Sequence, residues 1–204
     1  METKQNIEDL YFVLLHDAYS CVQKAERHLI PANIIHKELV NHLHGKHEIP
    51  DELTDMVMGL IDSYMLLLSL SFENIIKGLI VSIKPDFIDT DELKIYKWGT
   101  HGGHGIVEML KCNFKSLDSI DSDLIERLQT YLIWAGKYQI PKSPDKYVSS
   151  RIPKIQKMYR ENDNITAERL FNKIKRQIEL NWERNLSVYY RWNDEYYDNK
   201  YNKK

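Results

Sequence analysis

Histidines are the first residues in this sequence whose type and spacing could carry chemistry. His101 and His104 flank two glycines, and four of the eight histidines fall within twelve residues: His36, His42, His44 and His47. Imidazole is a common zinc ligand, but neither group has a cysteine nearby, and Glu38 and Glu48 do not form a metalloprotease frame with these histidines. We therefore predict no metal site and no cofactor, and we interpret these histidines as surface residues at helix ends.

The glycine-rich stretch 99–105 could cradle a phosphate. A P-loop, however, needs Gly-x4-Gly-Lys-Ser/Thr directly after a strand, and the sequence has neither the Lys-Ser/Thr pair nor a strand pattern. Nucleotide hydrolysis by that route is excluded. We expect these glycines to let the backbone turn tightly before a short helix from about His104 to Lys111. His104 would then pack on the rest of the protein or contact a phosphate.

Aromatic residues lie beside cations at two places in the C-terminal part of the chain. Trp134, Lys137 and Tyr138 could offer an aromatic face and a positive charge to a base and its phosphate, or could belong to the core and its hydrogen-bonded rim. The tail 189–204 interleaves tyrosines and Trp192 with basic and acidic residues. That tail could stack on a single-stranded nucleic acid, or could pack at a protein interface.

Charge is divided unevenly, although the net charge is only −2. Residues 1–136 contain 12 Lys and Arg against 21 Asp and Glu, whereas residues 137–204 contain 16 against 9. The basic C-terminal part could meet phosphate backbones, or could dock on the acidic part of its own or a neighbouring chain.

Composition indicates one globular domain. The 204 residues are 43% hydrophobic and 28% charged, which excludes a collagen-like, a wholly disordered or a disulfide-stapled chain. The two cysteines, Cys21 and Cys112, suit a reducing compartment, and we expect each to be a small core residue. The N-terminus has no signal-peptide pattern, and no segment approaches ~20 uncharged apolar residues. We therefore expect a cytoplasmic protein without a membrane partner.

Apolar residues recur every three or four positions along most of the chain, which predicts an all-α fold. Pro31 fits the first turn of a new helix, Pro85 ends a long one, and Thr166 is a candidate cap. Helices are predicted over about 7–29, 31–45, 51–83, 104–111, 121–136 and 166–192. We expect a helical bundle over 1–188 with an extra long C-terminal helix, followed by an aromatic and basic tail over 189–204 that frays.

The predicted helix 51–83 would be ~50 Å long at 1.5 Å per residue. Its MLLLSLS stretch is apolar on nearly all sides, so this helix should be central. The short flanking helices do not suffice to cover it, and we predict that a two-fold interface covers the remainder in a homodimer.

Three segments together resemble a known family. They are SFENIIKGLI at 71–80, GHGIVEML at 103–110 and LIERLQTYLIWAGKYQIPKSP at 124–144. Their order, with a W-x-G-[RK]-Y-x-x-P helix end, is similar to uncharacterised bacterial relatives of the HEPN superfamily (higher eukaryotes and prokaryotes nucleotide-binding), over about residues 53–145. The resemblance implies an up-and-down bundle that often dimerises, and in many members a metal-independent RNase of toxin–antitoxin or antiviral systems.

The nuclease members of that family carry an Arg followed four to six residues later by a His, and no Arg of this sequence has a His at that spacing. We therefore predict a HEPN-like binding or regulatory module with RNA as the leading partner. One alternative is an RNase with a relocated basic/His pair, Lys77 and His104. Another is a structural bundle with an antitoxin or other protein partner. The resemblance implies that the nucleic-acid-binding residues meet at one rim of the bundle: Asn74, Lys77, His104, Trp134, Lys137 and Tyr138.

Overall fold

The computed structural model describes the backbone of residues 17–43, 50–83, 103–115, 117–135 and 159–201, and the side chains of these ranges except 134, 135 and 183–201. Regular structure within these ranges is entirely helical, which confirms the predicted all-α class. The described residues form five α-helices, of which α4 continues into a π-helical turn, Tyr131–Ala135: α1 (Ala18–Leu43), α2 (Asp51–Ile83), α3 (Ile106–Asn113), α4 (Ser119–Thr130) and α5 (Asp163–Tyr201).

Helix α1 runs antiparallel to α2. The Ser71 hydroxyl donates a hydrogen bond to the Ala25 carbonyl at 2.9 Å. Further along α1, the His36 ring lies 5.2 Å from the Tyr64 ring, which is nearer the start of α2. The residue numbers of α1 therefore rise as those of α2 fall.

The predicted break at Pro31 is wrong, because α1 continues through it from Ala18 to Leu43. Proline in a helix interior removes one backbone hydrogen bond and costs about 3 kcal/mol. Ala25 and Ala32 are fully buried on either side of the proline. Small side chains at these positions let α1 pack closely on α2 along its whole length, and that burial outweighs the local cost.

Helix α2 is the centre of the bundle, and its bounds, Asp51–Ile83, are those predicted. All residues from 64 to 82 are buried or half-buried. Most of this stretch is thus covered within one chain, whereas Met56 and Met58 nearer the start of α2 are 41% and 51% exposed, and the homodimer stays a prediction. By length and composition α2 could cross a membrane, but 67% of its most apolar window is buried in the bundle, as in the core helix of a soluble protein.

Helix α5 runs parallel to α2. Phe72 and Phe171 pack edge to face with ring centroids 6.3 Å apart, and Asn181 donates to the Ser82 hydroxyl at 3.1 Å further along both helices. The start of α5 is Asp163 rather than the predicted Thr166, and its end is Tyr201, beyond the point at which fraying was expected.

The π-helical turn joins α4 to the middle of α2. The Ser69 hydroxyl lies 2.8 Å from the Leu128 carbonyl, and the Tyr131 hydroxyl donates to Asp62 at 3.2 Å. These contacts make α4 antiparallel to α2. The directions of α1, α2, α4 and α5 therefore alternate, as expected for the predicted up-and-down bundle, with the short α3 between α2 and α4.

Helix α4 begins at Ser119, two residues before the predicted start. Its cap is Asp118, whose carboxylate accepts a hydrogen bond from the Asp121 backbone N–H at 2.7 Å. Asp121, where the helix was predicted to begin, is instead fully buried and accepts a hydrogen bond from Arg169 on α5. Its carboxylate therefore links two helices, which local sequence could not reveal.

A buried ion pair also joins α4 to α5. Arg127 donates two hydrogen bonds of 2.6 Å to the two carboxylate oxygens of Asp163. The side chains are 7% and 4% exposed. Asp163 also accepts the backbone N–H of Arg160 at 2.8 Å, which fixes the chain entering α5. Arg127 therefore has a structural role, because it holds α4 against α5.

The two cysteines differ in environment. Cys21 on α1 packs against Gly78 of α2, and burial raises the pKa of its thiol to about 11. Cys112 is exposed, so the expectation that both cysteines lie in the core is wrong for Cys112.

Candidate functional site

A tight backbone turn places His104 beside α2. Gly103 has φ of 91°, a left-handed conformation that favours glycine. The chain then enters α3 with Gly105 as its cap residue. The turn predicted from the glycine-rich stretch is therefore found at Gly103, and α3 starts two residues later than expected.

Glu73 of α2 is the residue on which the site is built. Its Oε1 accepts hydrogen bonds from the Lys77 ammonium, one helical turn further along α2, and from His104 Nδ1 at 3.1 Å. The two residues that the alternative RNase hypothesis paired are thus brought together, through a carboxylate that sequence reasoning did not select. We call Glu73, Lys77 and His104 the rim cluster.

Exposure in the rim cluster increases from the carboxylate outward. The Glu73 side chain is 7% exposed, whereas those of Lys77 and His104 are 27% and 44% exposed. A carboxylate buried without partners would be costly, so the two donors satisfy Glu73 while part of each remains accessible to solvent. A ligand approaching from solvent would meet the cationic side of the cluster first.

The hydrogen bond to Glu73 also fixes which histidine nitrogen can act. Because Nδ1 of His104 faces the carboxylate, Nε2 is the ring nitrogen left for another partner. The neutral ring could accept a proton there, and the protonated ring could donate one. A carboxylate that orients a histidine in this way is a common arrangement in proton-transfer sites.

Two side chains of α1, His28 and Cys21, lie within electrostatic range of the rim cluster. Burial lowers the pKa of His28, as does the charge of Lys24, while the Glu73 carboxylate opposes that shift. The Lys77 charge acts on the Cys21 thiol, although burial dominates there. The cluster therefore lies where α1, α2 and the start of α3 meet.

The other predicted interface residues are not all brought to the rim cluster. The Asn74 amide nitrogen donates to the Leu70 carbonyl at 2.7 Å, so it is engaged within its own helix. Trp134 lies in the π-helical turn, but its side chain, together with all of Lys137 and Tyr138, falls outside the described residues.

Glu73 was missed even though it lies within the quoted segment SFENIIKGLI. Two signals could have identified it. Its spacing to Lys77 is that of a favourable i,i+4 pair on a helix. It is also a charged residue in the most apolar part of α2, where a buried charge needs a partner.

The described histidines of the group between 36 and 47 each face a polar side chain. His42 lies 3.0 Å from Glu38, and His36 lies 3.3 Å from the Tyr159 hydroxyl. Among the described residues, no three His, Cys, Asp or Glu side chains are grouped as metal ligands would be. His44, His47 and His101 lie outside these residues.

No protein-family model matches this chain, and neither a curated protein nor a solved structure matches it. The resemblance to HEPN proteins therefore rests on the three sequence segments.

Proposed function

We propose that this chain is a cytoplasmic HEPN-like module that binds RNA at the rim cluster, with Lys77 and His104 donating to phosphate oxygens. The observation that supports the proposal is the convergence of these two side chains, from separate elements, on the single carboxylate of Glu73. Phosphate contacts from lysine and histidine set the position of an RNA strand.

Glu73 limits how strongly the cluster can attract phosphate. Its charge opposes that of Lys77, so the net charge that the cluster presents to a phosphate is small. Added salt should reduce RNA affinity, because the contacts are made to phosphate.

The first test is the Lys77→Ala variant in a fluorescence-anisotropy titration with labelled single-stranded RNA at low salt. We expect about tenfold weaker binding and a salt dependence flatter by ~0.7, which corresponds to one phosphate contact. Lys175→Ala is the matched control, because Lys175 also pairs with a glutamate, Glu26, at 2.7 Å on another part of the surface. Equal effects of the two variants would refute an interface at Lys77.

The sequence resemblance also assigns Trp134, Lys137 and Tyr138 to this interface. Combining Lys77→Ala with Lys137→Ala should flatten the salt dependence by about two phosphate equivalents and leave the circular dichroism spectrum unchanged. If the double variant has the salt dependence of Lys77→Ala alone, Lys137 is not part of the interface.

The hydrogen bond between Glu73 and His104 favours a second candidate, a metal-independent RNase. In it, Nε2 of His104 would exchange a proton with the RNA, Lys77 would stabilise phosphate charge, and Glu73 would orient the histidine. General acid–base catalysis of this kind contributes about 10²–10⁴-fold in rate.

Glu73→Gln separates the two candidates. The glutamine keeps an oxygen for Lys77 but removes a negative charge, so RNA affinity should rise in either case. Cleavage of mixed cellular RNA is followed on a gel with a chelator present. It should fall at least tenfold in Glu73→Gln, and in a second variant, His104→Ala, only if His104 transfers protons. His42→Ala is the control for His104→Ala, because His42 also faces a glutamate. If the wild-type protein binds RNA but does not cleave it, the RNase candidate is rejected and the binding module is retained.

A further inference from the structure

The outer face of α1 carries a regular stripe of exposed residues. Its positions alternate by three and four, which places them on one side of the helix. All six are exposed, and they are Gln23, Arg27, Ile30, Ile34, Lys37 and Asn41. We call this set the outer stripe. It lies opposite the buried Ala25, Ala32 and Leu39 that face the core.

Two isoleucines occupy the middle of the outer stripe. Ile30 and Ile34 are 62% and 63% exposed. Single exposed apolar residues are common and need no explanation. Two β-branched residues at the a and d positions of a heptad-like stripe are the pattern that one helix presents to another.

Positive charges bracket the isoleucines. Arg27 and Lys37 lie on the same stripe, ten residues apart, or ~15 Å along the helix. Within the described part of the chain, neither has an ion-pair partner, whereas the nearby Glu38 is bonded to His42 and Asn41. The stripe therefore reads basic, apolar, apolar, basic.

This charge order argues against a second copy of α1 as the occupant. In an antiparallel two-fold pairing centred on the isoleucines, Arg27 would face Lys37 of the second copy. In a parallel pairing each cation would face its own counterpart. Both symmetric arrangements oppose like charges, which is unfavourable on packed helices.

We infer that the outer stripe docks an amphipathic helix of another protein, in which two acidic residues about ten positions apart bracket apolar a and d residues. Such a helix would cover Ile30 and Ile34 and pair with Arg27 and Lys37 in either direction, because both ends of the stripe are basic. This inference is independent of RNA binding at the rim cluster.

The test uses the full chain and a labelled helical peptide of about 20 residues with Glu-Leu-Leu-Glu at a/d spacing. A second peptide carries Lys at both Glu positions. In anisotropy titrations we expect the Glu peptide to bind about tenfold more tightly than the Lys peptide. The variant Arg27→Glu with Lys37→Glu should reverse that preference.

The apolar part of the stripe is tested with Ile30→Ser combined with Ile34→Ser, which should weaken Glu-peptide binding at least tenfold without changing the circular dichroism spectrum. The matched control is Ile120→Ser with Ile165→Ser, since those residues are 61% and 67% exposed elsewhere. Binding that is absent, or equal for both peptides, would overturn the inference. Two other results would also overturn it. If the Ile30/Ile34 variant loses self-association in sedimentation, the stripe serves a second copy of this chain. If it loses binding to anionic vesicles, the stripe serves a lipid surface.

Discussion

Replacing Asp163 with alanine should be among the most destabilising single changes in this protein. The substitution removes the two carboxylate oxygens that accept hydrogen bonds from the terminal nitrogens of Arg127 at 2.6 Å. It also removes the acceptor of the Arg160 backbone N–H at the start of α5. Asp163→Ala therefore disrupts the contact of α4 with α5 and the local structure that begins α5.

The magnitude follows from burial. Breaking a buried ion pair by removing one partner costs about 3–5 kcal/mol, because the remaining charge is left desolvated. Arg127 retains Asp123, at 3.0 Å, but that carboxylate is 32% exposed and compensates only in part. We therefore take ~3 kcal/mol for the pair and add ~1 kcal/mol for the backbone hydrogen bond. The sum is a large fraction of the 5–15 kcal/mol typical of domains.

The assay is urea unfolding followed by circular dichroism at 222 nm, with a second variant that removes the stranded charge. Combining Arg127→Met with Asp163→Ala keeps an apolar stem in place of the arginine, so only the ~1 kcal/mol from the backbone hydrogen bond should remain lost. A loss below about 1 kcal/mol for Asp163→Ala would refute this reasoning. So would a double variant that is no more stable than the single one.

Three further predictions concern packing, reactivity and pH. Gly78→Ala would place a Cβ 3.0 Å from the Cys21 Cβ and should lower the free energy of unfolding by about 1–3 kcal/mol. Gly59 lies on the same helix, and a Cβ there would meet nothing within 4 Å, so Gly59→Ala should raise it by ~0.5–1 kcal/mol. Urea unfolding measures both changes. Burial raises the pKa of Cys21 from 9.0 to about 11, so its thiolate population is about 100-fold lower. In the native protein a disulfide reagent should therefore label the exposed Cys112 first. Equal labelling rates would contradict this prediction. Burial lowers the pKa of His36 below 6.5, so the free energy of unfolding should decrease as the pH falls below 6.5 and the unfolded state takes up the proton. The decrease between pH 7.5 and 5 should be smaller in His36→Phe. An unchanged decrease would exclude His36 as a contributor.

The central helix shows what the sequence could predict. Both ends of α2 were predicted correctly, because an uninterrupted apolar period is followed by Pro85, whose ring disfavours helix at the preceding residue. These signals are local, so they act wherever the segment lies in the fold. The same local reasoning failed at Pro31, where packing of Ala25 and Ala32 against α2 keeps the helix intact.

The candidate site was only partly predictable for the same reason. Lys77 and His104 were selected, but their common partner Glu73 was not. The Glu73–Lys77 contact is one helical turn long, and its spacing was readable. The Glu73–His104 contact joins residues 31 positions apart and depends on the left-handed turn at Gly103, which no periodicity specifies.

Glu73 differs from the buried Asp163 and Asp121, whose donors are arginines, because its donors are a lysine and a histidine that are 27% and 44% exposed. Elsewhere, the glutamates that pair with Lys175 and His42 are 39% and 56% exposed, so water shares their charge. Glu73 is 7% exposed in the most apolar helix of the bundle. Buried ion pairs of this kind are seldom more stabilising than apolar residues of similar volume. Glu73 holds a lysine and a histidine from two separate elements together at the edge of solvent, which suits the proposed contact with phosphate or transfer of a proton.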